Sequence, residues 1–557
     1  MFLTPPERIR AFEDKGWWSG DNVVAALHSA VEQGGDSIAL VDPLNREALD
    51  ARAPERLSWN EVADRVERLA AALLARGLRK DDIVLAQLPN TVDAVLLFLA
   101  CARLGLIVSP VVMQYRVHEL AFISAQTKPR LFVTVPGFAG FDHAAQGREL
   151  GLDVALFGDG HGDLRAELDE ADPATVEAYV AANPTVGGEV LTICWTSGTE
   201  SRPKGVPRDH NHWILNAHVV AQGTGMVPGD TLLNPFPLVN IGSIGGLVMP
   251  WLTLPARLVL HHPFDLGIFL QQIEAEKVTY TIAPPAVLTA LLKQPALMEK
   301  FDLSSLRAIG SGSAPLSPWL IEGWQARGIE ICNIFGSNEG ASLYSSAVDV
   351  PDTTDRSRYF PRFGVEGHGW SGLNHKALRT RLVDLDTGKE IDEPGRPGEL
   401  RLKGATLFGG YWQAPELTAA AFDEDGWFRT GDQFEIAGEG TLKRFYRFVG
   451  RSKEIIVRGG VNISPAELDD LLAGLPGSRE AATVGIPDAD LGERVAVGIV
   501  PAEGAELSIA DVSAFLKERG VAVFKLPERL VTLDRLPRNA MNKVVRLELR
   551  EAVLAQL

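Results

Sequence analysis

The sequence predicts an α/β protein: a large N-terminal domain of layered α/β subdomains with a small β-barrel-like part, then a small α+β C-terminal domain. Three observations predict it. At 557 residues the chain exceeds what one hydrophobic core serves. Short apolar runs alternate with helical periodicity as far as about residue 380, the signature of helices laid over mostly parallel sheets. Beyond that point the texture changes to alternating strands with turn glycines, and then to a short α+β unit.

Taken in order, Gly16-Trp17-Trp18 precedes a helix that Asp21 or Asn22 caps. From Trp59 to Gly77 the apolar residues Val62, Val66, Leu69, Ala72 and Leu73 recur at helical spacing, and Gly77 stops the helix. Ile83 to Gln87 reads as a strand, and Ala94 to Met113 as a buried helix running into another. Further strands are expected at Arg130–Val135, Val154–Phe157, Val190–Trp195, Leu258–His261, Val278–Ala283 and Leu306–Ile309. Arg379–Leu385, Glu399–Lys403 and Phe434–Val449 alternate like antiparallel strands, with turns at Gly438 and Gly440. Ser464 then caps a helix with Pro465 at its first position, Glu467 closing a capping box, and Gly474 and Pro476 as the stop. A last helix runs from Ser508 to Arg519-Gly520. The boundary is expected at Gly450–Lys453, dividing the chain into 1–450 and 451–557.

Composition narrows the function. The chain is 46% apolar and 23% charged, as in soluble globular proteins. A formal net charge of −18 argues against nonspecific nucleic-acid binding and against an anchor on anionic lipid, so any anionic substrate needs local cations. Cys101, Cys194 and Cys332 are widely spaced and read as reduced core residues, with no Cys/His cluster of metal-ligand spacing. The N-terminus lacks a signal-peptide pattern, and the most apolar window is broken by Arg103, Ser109 and Pro110. The expectation is a cytoplasmic protein without integral membrane association.

The stretch Thr196-Ser197-Gly198-Thr199-Glu200-Ser201-Arg202-Pro203-Lys204-Gly205 leaves an apolar strand and precedes a helical pattern through Trp213, Leu215 and Val219. Unencumbered backbone N–H groups, hydroxyls and a lysine can converge there on phosphate. It is not a Walker A loop, because Lys204 is followed by Gly205 and Val206. The loop resembles that of the adenylate-forming superfamily: acyl-CoA synthetases, aryl-acid ligases, luciferases and peptide-synthetase adenylation domains. It departs only at Ser201, where glycine is usual. Further motifs resemble the family in order, from about Trp59 to the C-terminus. Gly310-Ser311-Gly312-Ser313-Ala314-Pro315 follows a strand; Asn333-Ile334-Phe335-Gly336-Ser337-Asn338-Glu339 is similar to the Tyr-Gly-x-Thr-Glu motif, with Phe335 for tyrosine and Asn338 for threonine. Phe422 to Asp432, Gly450-Arg451-Ser452-Lys453 and Pro537 to Lys543 complete the set, the last with Asn542 where glycine is usual.

The resemblance implies a two-step, one-site mechanism. Carboxylate and Mg·ATP give an acyl-adenylate and pyrophosphate; a thiol then displaces AMP. It assigns ATP binding to Thr196, Ser197, Gly198, Thr199, Lys204, Gly312, Ser313, Ala314, Asn333, Phe335, Gly336, Ser337, Asn338, Glu339, Asp432, Arg451 and Lys543. Of these, Thr196, Lys204, Glu339 and Lys543 are implied to be catalytic, Glu339 to hold Mg²⁺, and Asp432 and Arg451 to meet the ribose. It makes Lys453 the hinge of a mobile lid, and Gly459-Gly460 a lining of the CoA pantetheine tunnel. Asn240, Ile241, Gly242, Gly245, Gly310 and Gly312 are the expected acid pocket, whose glycines either leave volume for a bulky acid or let a helix pack closely. No aspartate starts that segment, where the resemblance places the partner of an amino acid's α-ammonium, which argues against an amino acid. Gly16-Trp17-Trp18 and Gln87-Leu88-Pro89-Asn90 resemble the 2,3-dihydroxybenzoate ligases, yet their His-Asn pair is absent. The expected activity is a carboxylic acid:CoA ligase for a medium-chain, alicyclic, aryl or steroid-side-chain acid, using ATP, Mg²⁺ and CoA. A ligase loading a separate carrier-protein thiol is the alternative, and a non-catalytic nucleotide-binding relative is disfavoured by Glu339, Asp432, Arg451 and Lys543. A homodimer is left open.

Overall fold

A computed structural model describes the chain apart from residues 159–162, 197–202, 313–315, 452–453, 459–460, 489–490, 520, 522 and 540–541, and apart from the side chains of 461, 462 and 524. The first sheet has six strands in the order Val154–Leu156, Leu131–Thr134, Ile83–Ala86, Ile107–Pro110, Val190–Thr196 and Lys204–Asp209. All pair parallel except the last two, which form an antiparallel hairpin. The strand Lys204–Asp209 is hidden in the sequence by Lys204, Arg208, Asp209 and Pro207. Proline is tolerated because this strand is the sheet's edge.

The second sheet has eight strands: Ser342–Ser345, Glu330–Gly336, Ala308–Gly312, Tyr280–Ile282, Thr231–Asn234, Arg257–Leu260, Ile38–Val41 and Arg56–Ser58. Its interior pairs are parallel and its edges antiparallel. The helix Trp59–Ala75 follows the last of these through a capping box, in which Ser58 Oγ accepts from the Glu61 N–H and Glu61 from the Ser58 N–H. Trp59 stacks on Trp251 with ring centroids 4.8 Å apart. Arg46 is buried beside this layer and donates to Asp42 and Asp93 at 2.7 Å each, with Asp50 at 2.9 Å from Nε.

A third, antiparallel sheet orders Tyr359–Pro361, Phe445–Arg451, Phe428–Ile436, Gly398–Gly404, Leu378–Val383 and Glu390–Ile391. Among the described residues its two outermost strands do not pair with each other, but a bridge from Pro394, just past Glu390–Ile391, to Ile436 curls that edge back onto Phe428–Ile436, as suits the barrel-like part that the sequence predicts.

The C-terminal unit follows from strand periodicity. In Gly492–Pro501, Val495, Val497 and Ile499 face the helices Pro465–Leu472 and Ile509–Glu518, while Ala496 and Val500 face the helix Arg546–Leu554. Ser464 caps the first helix as expected, accepting from the Glu467 N–H. The expected capping box is corrected: the Glu467 carboxylate turns instead to Lys525 Nζ at 2.7 Å. Asn22 is the cap of Val23–Gly34, and all three cysteines are free and buried. Among the described residues no helix is long and apolar enough to cross a membrane.

Candidate active site

The site lies beyond the carboxyl ends of strands from the first two sheets, where the third sheet and the C-terminal unit close over them. Thr196 and Lys204 are cross-strand partners at the base of the hairpin. Their side chains therefore share one face at the mouth of the loop between them. Lys204 Nζ sits 5.5 Å from the centre of the Tyr411 ring, and the Tyr411 hydroxyl donates to Glu339 Oε1 at 2.9 Å. Cation, ring and carboxylate thus form one row.

The strand Glu330–Gly336 delivers Glu339 through a tight turn. The Ser337 N–H donates to the Ala341 carbonyl at 3.0 Å, and the Glu339 carbonyl accepts from Phe408 N–H at 2.9 Å. Gly340 has φ +104°, and a Cβ there would stand 1.9 Å from the Thr406 carbonyl oxygen, so only glycine fits. The Ser337 hydroxyl is buried with no protein partner among the described residues, as suits a group aimed at a ligand. Phe335 packs edge-on against Phe434 at 5.1 Å. Asn333 is committed elsewhere: its amide donates to the Arg356 and Ser357 carbonyls at 3.1 Å.

Asp432 and Arg451 are cross-strand partners in the third sheet, with Nε and Oδ1 3.5 Å apart. Burial raises the Asp432 carboxyl to about 6, opposed by Arg451 and Lys543. Burial lowers Lys543 to about 8, aided by Arg451 and opposed by Glu454 and Asp432. Lys543, from the C-terminal unit, and Asp432 each feel the other's charge and that of Arg451, so the three groups lie close together. Asn542 takes φ +60°, the left-handed conformation that glycine usually supplies. The Asn542 N–H donates to the Asn539 carbonyl at 2.8 Å and the Lys543 N–H to Asn539 Oδ1 at 3.0 Å, so the turn survives the substitution.

Asn240 caps an eight-residue π-helix, Ile241–Val248, accepting from the Ser243 N–H at 3.1 Å. Asn90 pins the approach to it, donating to the Phe236 carbonyl at 2.7 Å and accepting from the Leu238 N–H. Gly245 does not open the pocket as expected. A Cβ there would lie 2.5 Å from Asn216 Nδ2 and 3.1 Å from Trp213, so its space serves helix packing. Gly310 and Gly312 are similarly crowded, by Tyr280 Oη at 2.3 Å and the Ile334 carbonyl at 2.1 Å; Gly242 meets nothing closer than 3.4 Å. Behind the π-helix runs a narrow apolar crevice lined by Leu88, Phe98, Val111, Leu238, Ile244 and Val248. Ser197, Gly198, Thr199, Ser313, Ala314, Lys453, Gly459 and Gly460 lie outside the described residues.

Residues 27–412 match the AMP-binding enzyme family, and residues 467–543 its C-terminal domain. The chain belongs to the AMP-binding enzymes. It is an adenylate-forming enzyme of the acyl-CoA synthetase branch. The indoleacetate–CoA ligase of Aromatoleum aromaticum is 33% identical over 90% of this chain and 94% of its own. A Streptomyces salicylyl-CoA synthase / salicylate adenylyltransferase is 30% identical over 99% and 97%. ATP-bound MatB from Rhodopseudomonas palustris superposes with a TM-score of 0.78 at 28% identity, covering 95% of this chain and 99% of that one.

Two residues of this AMP-binding enzyme escaped the sequence reading. Tyr411 is signalled only by two aromatics after Gly409-Gly410, and Arg208 by nothing in its charged, proline-bearing strand. Arg208 is fully buried and donates to the main-chain carbonyls of Asn338 (3.0 Å), Thr406 (3.2 Å) and His212 (3.3 Å). Burial lowers it to about 10, which leaves it charged at neutral pH. Beneath it, Thr4 Oγ1 donates to Asp209 at 2.9 Å, and Arg8 to the Leu407 and Phe408 carbonyls at 2.6 and 3.2 Å. The first residues thus strap the loop that holds Tyr411. For a metal, the described residues offer no cluster of three His, Cys, Asp or Glu groups. A lone carboxylate suits Mg²⁺, which keeps phosphate and water as its other ligands, and does not suit a structural zinc.

Proposed function

We propose that this AMP-binding enzyme is a carboxylic acid:CoA ligase, forming an acyl-adenylate with release of pyrophosphate and then an acyl-CoA with release of AMP. The observation that carries the reading is the convergence of Lys204, Glu339, Asp432, Arg451 and Lys543 on one crevice from motifs far apart in the chain. In the first step a carboxylate oxygen attacks the α-phosphorus and the bond to pyrophosphate breaks. Two anions must meet, so the residues' work is to neutralise charge and hold the line of attack. Lys543 does this at the carboxylate and α-phosphate, and Lys204 with Thr196 at the outer phosphates. Glu339, its Oε1 held by Tyr411, would hold Mg²⁺, which supplies charge neutralisation on the phosphates. Asp432 accepts from both ribose hydroxyls, and Phe335 with the Gly312 strand flanks the adenine. In the second step the thiol sulfur bonds to the acyl carbon, AMP leaves and the thiol proton is released.

We read residues 1–450 as the adenylation domain and 451–557 as a lid hinged at Lys453. The acid is apolar, medium-chain, alicyclic or aromatic. Relatives named for indoleacetate and salicylate support the aromatic end of that range, and the crevice behind Leu238 and Ile244 supports an apolar body.

The test is pyrophosphate release with Mg·ATP across a panel of fatty, cyclohexane-type, benzoic, indolic and steroid-side-chain acids, each with and without CoA. Turnover that requires CoA and yields an acyl-CoA is expected. Release of one equivalent that CoA does not sustain would move the acceptor to a carrier-protein thiol, and no acid-dependent release would overturn the reading.

A further inference from the structure

The turn carrying Glu339 and the segment that starts the acid pocket are joined by one side chain. The turn is braced through its main chain, by Arg208 on the Asn338 carbonyl and by Phe408 on the Glu339 carbonyl. The facing segment carries glycine at 242, 245 and 246. Its first helical N–H, at Ile241, has no acceptor within the helix, as at any helix start. That N–H donates to Asn338 Oδ1 at 2.9 Å. Because the Ile241 N–H can only donate, the atom facing it is the amide oxygen, and the Asn338 NH₂ is turned away. Threonine, usual at this place in the family, carries its hydroxyl one bond nearer the backbone and cannot span the same gap.

We infer that Asn338 is a positioning residue that fixes the start of the acid-binding helix against the Glu339 turn, and thereby sets which acids this enzyme accepts. The inference rests on reading residues 240–246 as part of the acid pocket. The same side chain borders the phosphate-facing turn, so the acid's carboxylate and the α-phosphate are registered to each other through it.

The experiment measures initial rates of pyrophosphate release by the full chain and by Asn338→Ala, Asn338→Thr and Asn338→Asp, varying acid and Mg·ATP separately. Two acids are compared: the best substrate of the wild type and an analogue smaller by a ring or two methylenes. For Ala and Thr the expected result is a KM for the acid raised about tenfold, the size of one lost amide hydrogen bond with its N–H left unpaired. The KM for Mg·ATP stays within about twofold, on the same principle that only the lost bond changes, and the preference between the two acids narrows. Asp keeps an acceptor for the Ile241 N–H, so it keeps the acid KM and the preference, and lowers kcat by placing charge beside the phosphates. An Ala variant whose ATP KM rises while acid KM and preference hold would overturn the inference and make Asn338 a phosphate contact. So would Ala and Asp behaving alike. Wild-type protein that releases no pyrophosphate with any acid would instead remove the acid-pocket reading, before any variant is compared.

Discussion

Lys543 and Asp432 are both perturbed by the enclosure they share, in opposite directions, and the enzyme's pH dependence follows from the sign of each. In the proposed mechanism Lys543 works as a cation, and burial lowers it to about 8, so adenylation is expected to be lost as pH rises through that value. In the same mechanism Asp432 works as a carboxylate acceptor, and burial raises it to about 6, so adenylation is expected to be lost as pH falls through that value. The expected profile of kcat/KM for adenylation is a bell with limbs near these values, since kcat/KM reports the free enzyme. A flat profile from pH 5.5 to 8.5 would contradict both assignments. The neighbouring Asn542 is a departure from the family pattern that the backbone absorbs. Asn542→Gly is expected to leave adenylation within about twofold, because both residues reach φ near +60°. Asn542→Ala should cost roughly 1 kcal/mol in the turn and lower adenylation, read as pyrophosphate release at saturating substrates.

Among the elements, what the sequence made legible was whatever obeys a period. Apolar runs at Ile83–Gln87, Val190–Trp195 and Leu306–Ile309 mark strands that the structure builds as Ile83–Ala86, Val190–Thr196 and Ala308–Gly312, and the helical spacing from Trp59 marks the helix Trp59–Ala75, whose Ser58–Glu61 capping box the apolar spacing does not reveal. What stayed hidden breaks period for a functional reason. Lys204–Asp209 carries charges because it sets Lys204 beside Tyr411 at one end and buries Arg208 under the Glu339 turn at the other. Gly242, Gly245 and Gly246 look alike in sequence, and only their neighbours separate packing from open space. Gly340 gives the sharpest prediction at this scale. Gly340→Ala forces a Cβ into the Thr406 carbonyl at a φ unfavourable to alanine, and should destabilise by roughly 2–4 kcal/mol. A thermal melt should show it, with a larger relative loss of pyrophosphate release as Glu339 is displaced.

For the molecule as a whole, the order of motifs was legible and their meeting point was not, because contacts among residues hundreds apart leave no periodic trace. Glu339, Asp432 and Lys543 come from the second sheet, the third sheet and the C-terminal unit. The C-terminal unit also touches the main body through Lys293, whose Nζ donates to the Ala473 carbonyl at 3.1 Å. If Lys543 serves adenylation alone, the two half-reactions must separate on mutation. Lys543→Ala is expected to lower acid-dependent pyrophosphate release by at least about 100-fold, the scale of a lost charge stabiliser in a desolvated site. Thiolysis of supplied acyl-AMP by CoA should remain within about threefold on the differential-binding argument. Equal losses in both steps would overturn the proposal that Lys543 serves adenylation alone, and with it the domain rotation argued from it.

The strap formed by Thr4 and Arg8 bears on modularity. These side chains reach Asp209 and the loop at Leu407–Phe408, and so reach the Tyr411–Glu339 pair at second hand. The opening residues and the 404–411 loop are therefore a single inheritable unit. A chimera joined anywhere between them would carry a complete set of catalytic motifs and still misplace its carboxylate, unless both halves of that unit came from the same parent.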